Sequence, residues 1–386
     1  MARVFTNRYL GIGLLMLGLV GWYIATPLWL TYTAAPDAYL VKLAGMTALA
    51  IGAMAVGFSL PWLDKRFAPD APRWQIPEQA VQAVVWGTFI LFAVVVVATA
   101  KSIPLLSSLQ GASEVQLSVE RGDFLKTRTG WQALLVYISA LYVGAFLPYA
   151  TARLFIYRHP SRFVAVSIFL LYTLLALEKA TFIFVLGPLL WLSFKRANYK
   201  AAGYLVVLCA ATMYVNTVLA RGDLKAERLT TASIGNKASP AQADYFSIHY
   251  RRKSAVDHIF WRAIVIPVVT ARDALLVFEE RFAGRHLWGA TSSFVAKVTG
   301  QERVNYDAEV FAYQYGRSDI GASNAVYIIE AFVNFGWLGV VAFSLFIGQA
   351  LRWFSETTDE AIHVMWPLFC FFIFNAGVIG TLLSNG

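Results

Sequence analysis

The sequence predicts an all-α polytopic membrane protein, and three observations predict it. The 386 residues are 58% hydrophobic and only 14% charged, against about 45–50% and about 25% in soluble domains. Mean hydropathy is +0.57, with 15% aromatic residues. Apolar stretches of membrane-crossing length, roughly 20 residues each, recur along the chain. This composition excludes a soluble globular enzyme, a disordered chain and a disulfide scaffold. Cys209 and Cys370 both lie inside apolar runs, where they read as small buried hydrophobes rather than as a disulfide.

Residues 1–220 carry seven of the predicted spans. The first apolar run reaches Thr33. It is too long for the core of a signal peptide and lacks a small-residue cleavage site, so Tyr9–Tyr32 reads as a retained helix. Tyr39–Leu60, Gln79–Ala100 and Trp131–Ala152 follow, with a polar loop over 101–130. Phe163 to Phe194 is too long for one span, and a charge at mid-bilayer costs about 2.5–3.5 kcal/mol or more. The Glu178–Lys179 step is therefore a turn between Phe163–Leu177 and Ala180–Phe194. Ala201–Ala220 is the seventh span. A long polar segment occupies 221–324, and residues 325–386 carry the last two spans, Ala325–Gln349 and Val364–Leu383.

Charge orients this bundle. With Arg3 and Arg8 in the cytoplasm, the same side receives Lys65, Arg66 and Arg73, then Arg153, Arg158 and Arg162, then Lys195, Arg196 and Lys200. The short loop Ala34–Ala38 on the other side has no Lys or Arg, as the positive-inside rule requires. The acidic stretch Leu351–His363 fits this orientation poorly. Its placement depends on residues 259–278, which are apolar yet carry Arg262, Arg272, Asp273 and Pro267. These charges and the helix breaker favour an interfacial or re-entrant helix on the outer leaflet. The alternative is a tenth span, which would move Leu351–His363 to the outside. The expected bundle thus has about nine to ten transmembrane helices.

The chain lacks a phosphate-binding G-x-x-x-x-G-K-[ST] loop, a G-x-G-x-x-G turn and an H-E-x-x-H helix, so nothing points to an ATPase, a nicotinamide enzyme or a zincin. No Cys/His cluster has zinc spacing, and no cofactor is expected. The net charge of +9 is read as topology and as affinity for phosphate-bearing lipids, not nucleic acid. Arginines concentrate in 221–324, interleaved with Tyr245, Phe246, Trp261, Trp288, Tyr306 and other aromatic residues. Arginine offers a planar fork of donors suited to phosphate, and aromatic faces stack on sugars. Most of these charges are solvated or paired surface groups, since acidic residues nearly balance the basic ones. Arg262 and Arg272 stand out because they sit in apolar sequence.

The C-terminal third contains G-A-S-N-A-V-Y-I-I-E-A-F-V-N-F-G-W-L-G, from Gly321 to Gly339. Asn324 is suited to cap a helix. Glu330 would then lie six residues further on, an intramembrane carboxylate and so a functional candidate. Gly336 and Gly339 suggest close helix contact. This pattern of Gly321, Ser323, Asn324, Glu330, Phe335, Gly336 and Gly339 resembles the O-antigen polymerases, the Wzy-type oligosaccharide repeat-unit polymerases, and more distantly the O-antigen ligases. The resemblance extends to the long Arg-rich outer loop, the basic turn at Lys179 and the stretch Arg262–Pro267. Ligases carry a His just before the helix; Ala322 and Ser323 stand there in this chain, which favours polymerase.

The resemblance implies a GT-C-like, metal-independent glycosyltransferase of the bacterial inner membrane with its site facing the periplasm. Its donor would be a glycan on undecaprenyl diphosphate, and its partners membrane lipids and a chain-length-regulating membrane protein. A hydroxyl of the incoming lipid-linked unit would attack the donor's anomeric carbon. The departing diphosphate needs cations, for which Arg121, Lys179, Arg221, Arg251, Arg262, Arg272 and Arg317 are candidates. Glu330, Asp319, His258 and Asp273 are candidates to assist the hydroxyl. A ligase, or a flippase of lipid-linked oligosaccharides, is the alternative; a flippase would show repeated halves with interrupted helices at the membrane midplane, and this sequence shows no such symmetry.

Overall fold

The computed structural model describes residues 9–33, 36–61, 77–178, 181–221, 245–248, 250, 257, 260–316 and 322–378, except the side chains of 114, 115, 126, 220 and 221. Among them every regular element is a helix. Helices α1 (Leu10–Thr33), α2 (Ala38–Ser59), α3 (Glu78–Ala98), α6 (Gly130–Ile156), α9 (Tyr199–Arg221) and α13 (Tyr327–Glu356) are long and apolar enough to cross a membrane. Helices α4 (Pro104–Leu109) and α5 (Glu114–Arg121) occupy the polar loop before α6. Three expected spans are shorter: α7 (Arg162–Leu175), α8 (Ile183–Lys195) and the pair α14 (Glu360–His363) and α15 (Trp366–Asn375). Among the described residues the count is therefore six long apolar helices and three shorter apolar segments, the architecture of a multi-pass membrane protein.

Two apolar cores build the bundle. One joins α1, α2, α13 and α15 to α10 (Ile266–Phe282) and α12 (Tyr306–Tyr315). The other joins α3, α6, α7, α8 and α14. The two free cysteines lie in helices.

Polar contacts identify the two ends. At one end Arg153 pairs with Glu78 and lies 3.8 Å from Asp359, while Arg196 donates to Glu360 at 2.9 Å. Arg352 donates to the Phe58 and Ser59 carbonyls at 3.3 and 3.1 Å. The acidic stretch 351–363 thus shares an end with Arg153 and Arg196 and is held there by ion pairs. Its poor fit to the charge rule has this local cause, and no tenth crossing is needed to explain it. Asp37 marks the other end, capping α2 through the Tyr39 and Leu40 amides.

Helix α10 is preceded by a π-helical turn, Trp261–Val265. It is not laid on a surface: Val268–Ala271 and Asp273–Phe278 are buried. Trp22 of α1 donates to the Ala263 carbonyl at 2.9 Å, and Lys42 of α2 pairs with Glu279 at 2.7 Å.

The largest departure from expectation concerns α13. The stretch read as one span, Ala325–Gln349, is a helical hairpin. Gly336 has φ +64° and ψ −154°, a conformation favouring glycine. The Tyr327 hydroxyl lies 2.9 Å from Ser344 Oγ, whereas seventeen residues of straight helix would separate them by about 25 Å. Ala331 packs on Gly339, where an added Cβ would run into the Ala331 carbonyl. The first arm, 327–335, therefore folds back along the second, 337–356. The second arm alone is about 30 Å long, one bilayer core.

Gly336 is the turn of this hairpin, not a helix-contact glycine as expected. The close contact with another helix is made by Gly348, whose added Cβ would meet the Met54 carbonyl of α2, and by Gly57, which faces Leu345 of α13 in the same way. Gln349 donates to the Gly57 and Leu60 carbonyls beside them. Overpacking such a contact costs about 1–3 kcal/mol. Gly348→Leu should therefore lower the thermal unfolding midpoint in detergent, whereas Gly87→Leu, at an open position on α3, should leave it nearly unchanged.

Candidate functional site

A cavity of about 140 Å³ opens where the first arm of α13 meets α12 and the end of α15. Its polar lining includes Glu330, Asp307, Arg303, Asn305, Asn324 and Thr291. Each is placed by a local structural cause.

Glu330 lies in the first turn of α13, where the positive end of the helix dipole favours a carboxylate. The helix starts at Tyr327 with Val326 at its cap and no side-chain capping bond, so Asn324 is not the cap. Asn324 is instead an exposed residue of the cavity wall. Opposite, α15 ends at Asn375 and the chain turns extended at Ala376. Gly377 then sits against the Glu330 carboxylate, which would have to move to admit a side chain there. The hairpin register places Glu330 level with about residue 341, some 16 Å along the second arm from Arg352.

The hairpin is held by its own exposed carbonyls. The turn at Gly336 leaves the last carbonyls of the first arm without helical partners. The Leu287 and Trp288 amides donate to the Val333 and Asn334 carbonyls, both at 3.0 Å. Asn334 is fully buried. Its Oδ1 accepts from the Gly289 amide, and its Nδ2 donates to Thr291 Oγ1 and the Glu330 carbonyl, all at 2.9 Å. One amide side chain thus ties the cavity's Thr291 to the arm that carries Glu330.

Asp307 begins α12 beside Tyr306, whose hydroxyl donates to the Ala274 carbonyl of α10. Asp307 is exposed to the cavity yet walled by protein, and this burial pushes its carboxyl up to about 6, against the opposing charge of Arg303. Its carbonyl accepts from the Ser323 amide at 2.9 Å. Ser323 Oγ donates to Gln314 Oε1 at 2.7 Å, and Gln314 Nε2 donates to Asp273 Oδ2 at 2.9 Å. Arg272 closes the chain, bonding Asp273 at 2.9 Å and Asp37 at 2.7 Å. This relay links the cavity to the start of α2.

The expected site residues divide. Glu330 lines the cavity. Arg272 and Asp273 do not; they compensate each other within the relay, which explains charges in apolar sequence without a ligand. Arg262 is exposed on the π-helical turn, and Arg121 Nε donates to the Leu117 carbonyl at 3.2 Å; neither lines the cavity. Lys179, Arg251, His258, Arg317 and Asp319, and the side chain of Arg221, lie outside the described residues. His286 stacks on Phe278 at 5.4 Å. Asp307 was missed altogether, and Arg303 was one arginine among many. The signal that could have found them is Asn305, Tyr306 and Asp307 following Arg303 in an otherwise ordinary loop.

No known protein family, curated protein or solved structure matches this chain.

The raised Asp307 carboxyl has a consequence for stability. The folded chain holds this proton more tightly than an unfolded chain, whose value is near the ordinary 3.8. Its contribution favours folding below about pH 4 and is lost as pH rises through about 6. Relative to Asp307→Asn, the wild type should therefore lose thermal stability over that window, read as unfolding midpoints in detergent at a series of pH values.

Proposed function

We propose that the chain is a membrane glycosyltransferase that joins undecaprenyl-diphosphate-linked repeat units into a surface polysaccharide at the periplasmic face of the bacterial inner membrane. The observation that carries this reading is the cavity around Glu330. It combines two carboxylates, an arginine, amides and hydroxyls within a membrane bundle. The resemblance of Gly321–Gly339 to the O-antigen polymerases supports the same reading, since Glu330 belongs to that motif.

In this reading an acceptor sugar hydroxyl forms a bond to the anomeric carbon of the donor. The bond from that carbon to the lipid diphosphate breaks, and its electron pair leaves with the diphosphate. Asp307 takes the hydroxyl proton; burial lifts its carboxyl to about 6, closer to neutrality than an ordinary carboxylate, which suits a general base. Arg303 offsets the charge of the departing diphosphate. Glu330, Asn324 and Asn305 bind sugar hydroxyls and orient the two substrates. The GT-C relationship and the partner that sets chain length belong to this proposal.

A second reading is movement of a lipid-linked oligosaccharide across the membrane. One observation favours it: the α13 hairpin and the short α15 are interrupted helices that meet at the cavity, as in transporters.

The experiment uses purified protein in nanodiscs, synthetic undecaprenyl-diphosphate repeat units and EDTA, with products resolved on a gel. A ladder is expected, rising in rate as pH increases through about 6. Asp307→Asn and Arg303→Ala should each reduce it by about 10²-fold or more, Asp307→Asn should also remove the pH dependence, and Glu330→Gln should weaken it less. Gly377→Val, which would push the Glu330 carboxylate aside, should lower it. Labelled lipid crossing a vesicle bilayer with no ladder from a verified native unit would instead establish the transporter.

A further inference from the structure

The segment between α10 and α12 has two contrasting faces. Thr291, Ser292, Arg303 and Asn305 face the cavity. Between them lies α11 (Ser293–Thr299), with Ala296 turned inward and Phe294 and Val298 turned outward, 59% and 71% exposed. Trp288, just ahead of α11, is 61% exposed. Large apolar side chains clustered on an outward face require a partner.

The surface they continue identifies that partner. The second arm of α13 carries Leu338, 82% exposed, together with exposed Trp337 and Phe346. On an arm about 30 Å long these face the acyl chains. A path of rings joins this side to α11. Phe343 meets Phe335 at 5.9 Å, Phe335 meets Trp288 at 6.2 Å, and Gly289 next to Trp288 abuts Val295 of α11 and Phe335. Trp337 lies about 22 Å along the helix from Arg352, so the hairpin turn and α11 fall near the boundary of the acyl region away from Arg352. Arg285 and Lys297 are exposed beside the apolar residues, a disposition suited to lipid phosphates.

We propose that Trp288, Phe294 and Val298 rest in the lipid leaflet on the side of the bundle away from Arg352, so that α11 stands between the acyl chains and the segment that lines the Glu330 cavity. The partner is the bilayer itself. This inference is independent of the reaction proposed above and depends only on the bundle spanning a membrane. It gives the cavity a wall that a lipid-borne ligand meets from within the leaflet.

The test is nitroxide accessibility in phosphatidylcholine/phosphatidylglycerol nanodiscs, using the full chain with Cys209→Ala and Cys370→Ala. Labels are attached at Phe294→Cys and Val298→Cys, with Leu338→Cys as the lipid reference and Glu302→Cys, an exposed polar position, as the water reference. All positions are exposed, so labelling does not disturb the core. At 294 and 298 the expected result is high accessibility to oxygen and low accessibility to a water-soluble nickel chelate, matching 338. Nickel accessibility matching 302 would overturn the proposal. Low accessibility to both reagents would also overturn it, because protein, such as a second copy of the chain, would then cover the face.

Discussion

The backbone reversal at Gly336 is the constraint on which the rest of the site depends. A positive φ at this position turns α13 back on itself. The reversal exposes helix carbonyls inside the bundle, where an unsatisfied polar group is costly. The segment 287–291 satisfies them, and the buried Asn334 amide fastens the two together. His286 closes the turn: an added Cβ at Gly336 would lie 2.9 Å from its Nε2. The loop that walls the cavity and the arm that carries Glu330 are therefore one hydrogen-bonded unit.

Two further contacts fix this unit in the bundle. The second arm lies against α2 at Gly57 and Gly348, where backbones approach without side chains between them, as small residues allow in membrane helices. The relay from Asp37 through Arg272, Asp273 and Gln314 to Ser323 fixes the other side of the cavity. Burial raises the Asp273 carboxyl, and the bonds from Gln314 and Arg272 oppose that rise. A charged pair inside apolar sequence is stable here because each member is bonded on two sides.

Much of the fold was legible in the sequence because hydropathy reports which residues avoid water. The apolar stretches and the break between α7 and α8 around Glu178 follow from it. The hairpin was not legible, because two apolar arms in succession have the composition of one span, and only Gly336 separates them. The site was half legible. Glu330 stood out as a carboxylate in an apolar run, whereas Asp307 and Arg303 sit in polar sequence and become notable only through the fold. Arg272 and Asp273 drew attention by the same logic as Glu330, but their cost is met by each other and by Asp37. Sequence shows that a buried charge needs compensation, not whether a neighbour or a ligand supplies it.

One distance distinguishes a hairpin in α13 from an unbroken helix. Nitroxides placed at Ala325→Cys and Phe346→Cys, in a Cys209→Ala, Cys370→Ala background, report the separation of the two arms by dipolar spectroscopy. Arms packed side by side, with axes about 8–10 Å apart, predict a separation within about 20 Å. A separation of about 31 Å, the length of an unbroken helix between these positions, would mean that α13 runs straight through Gly336.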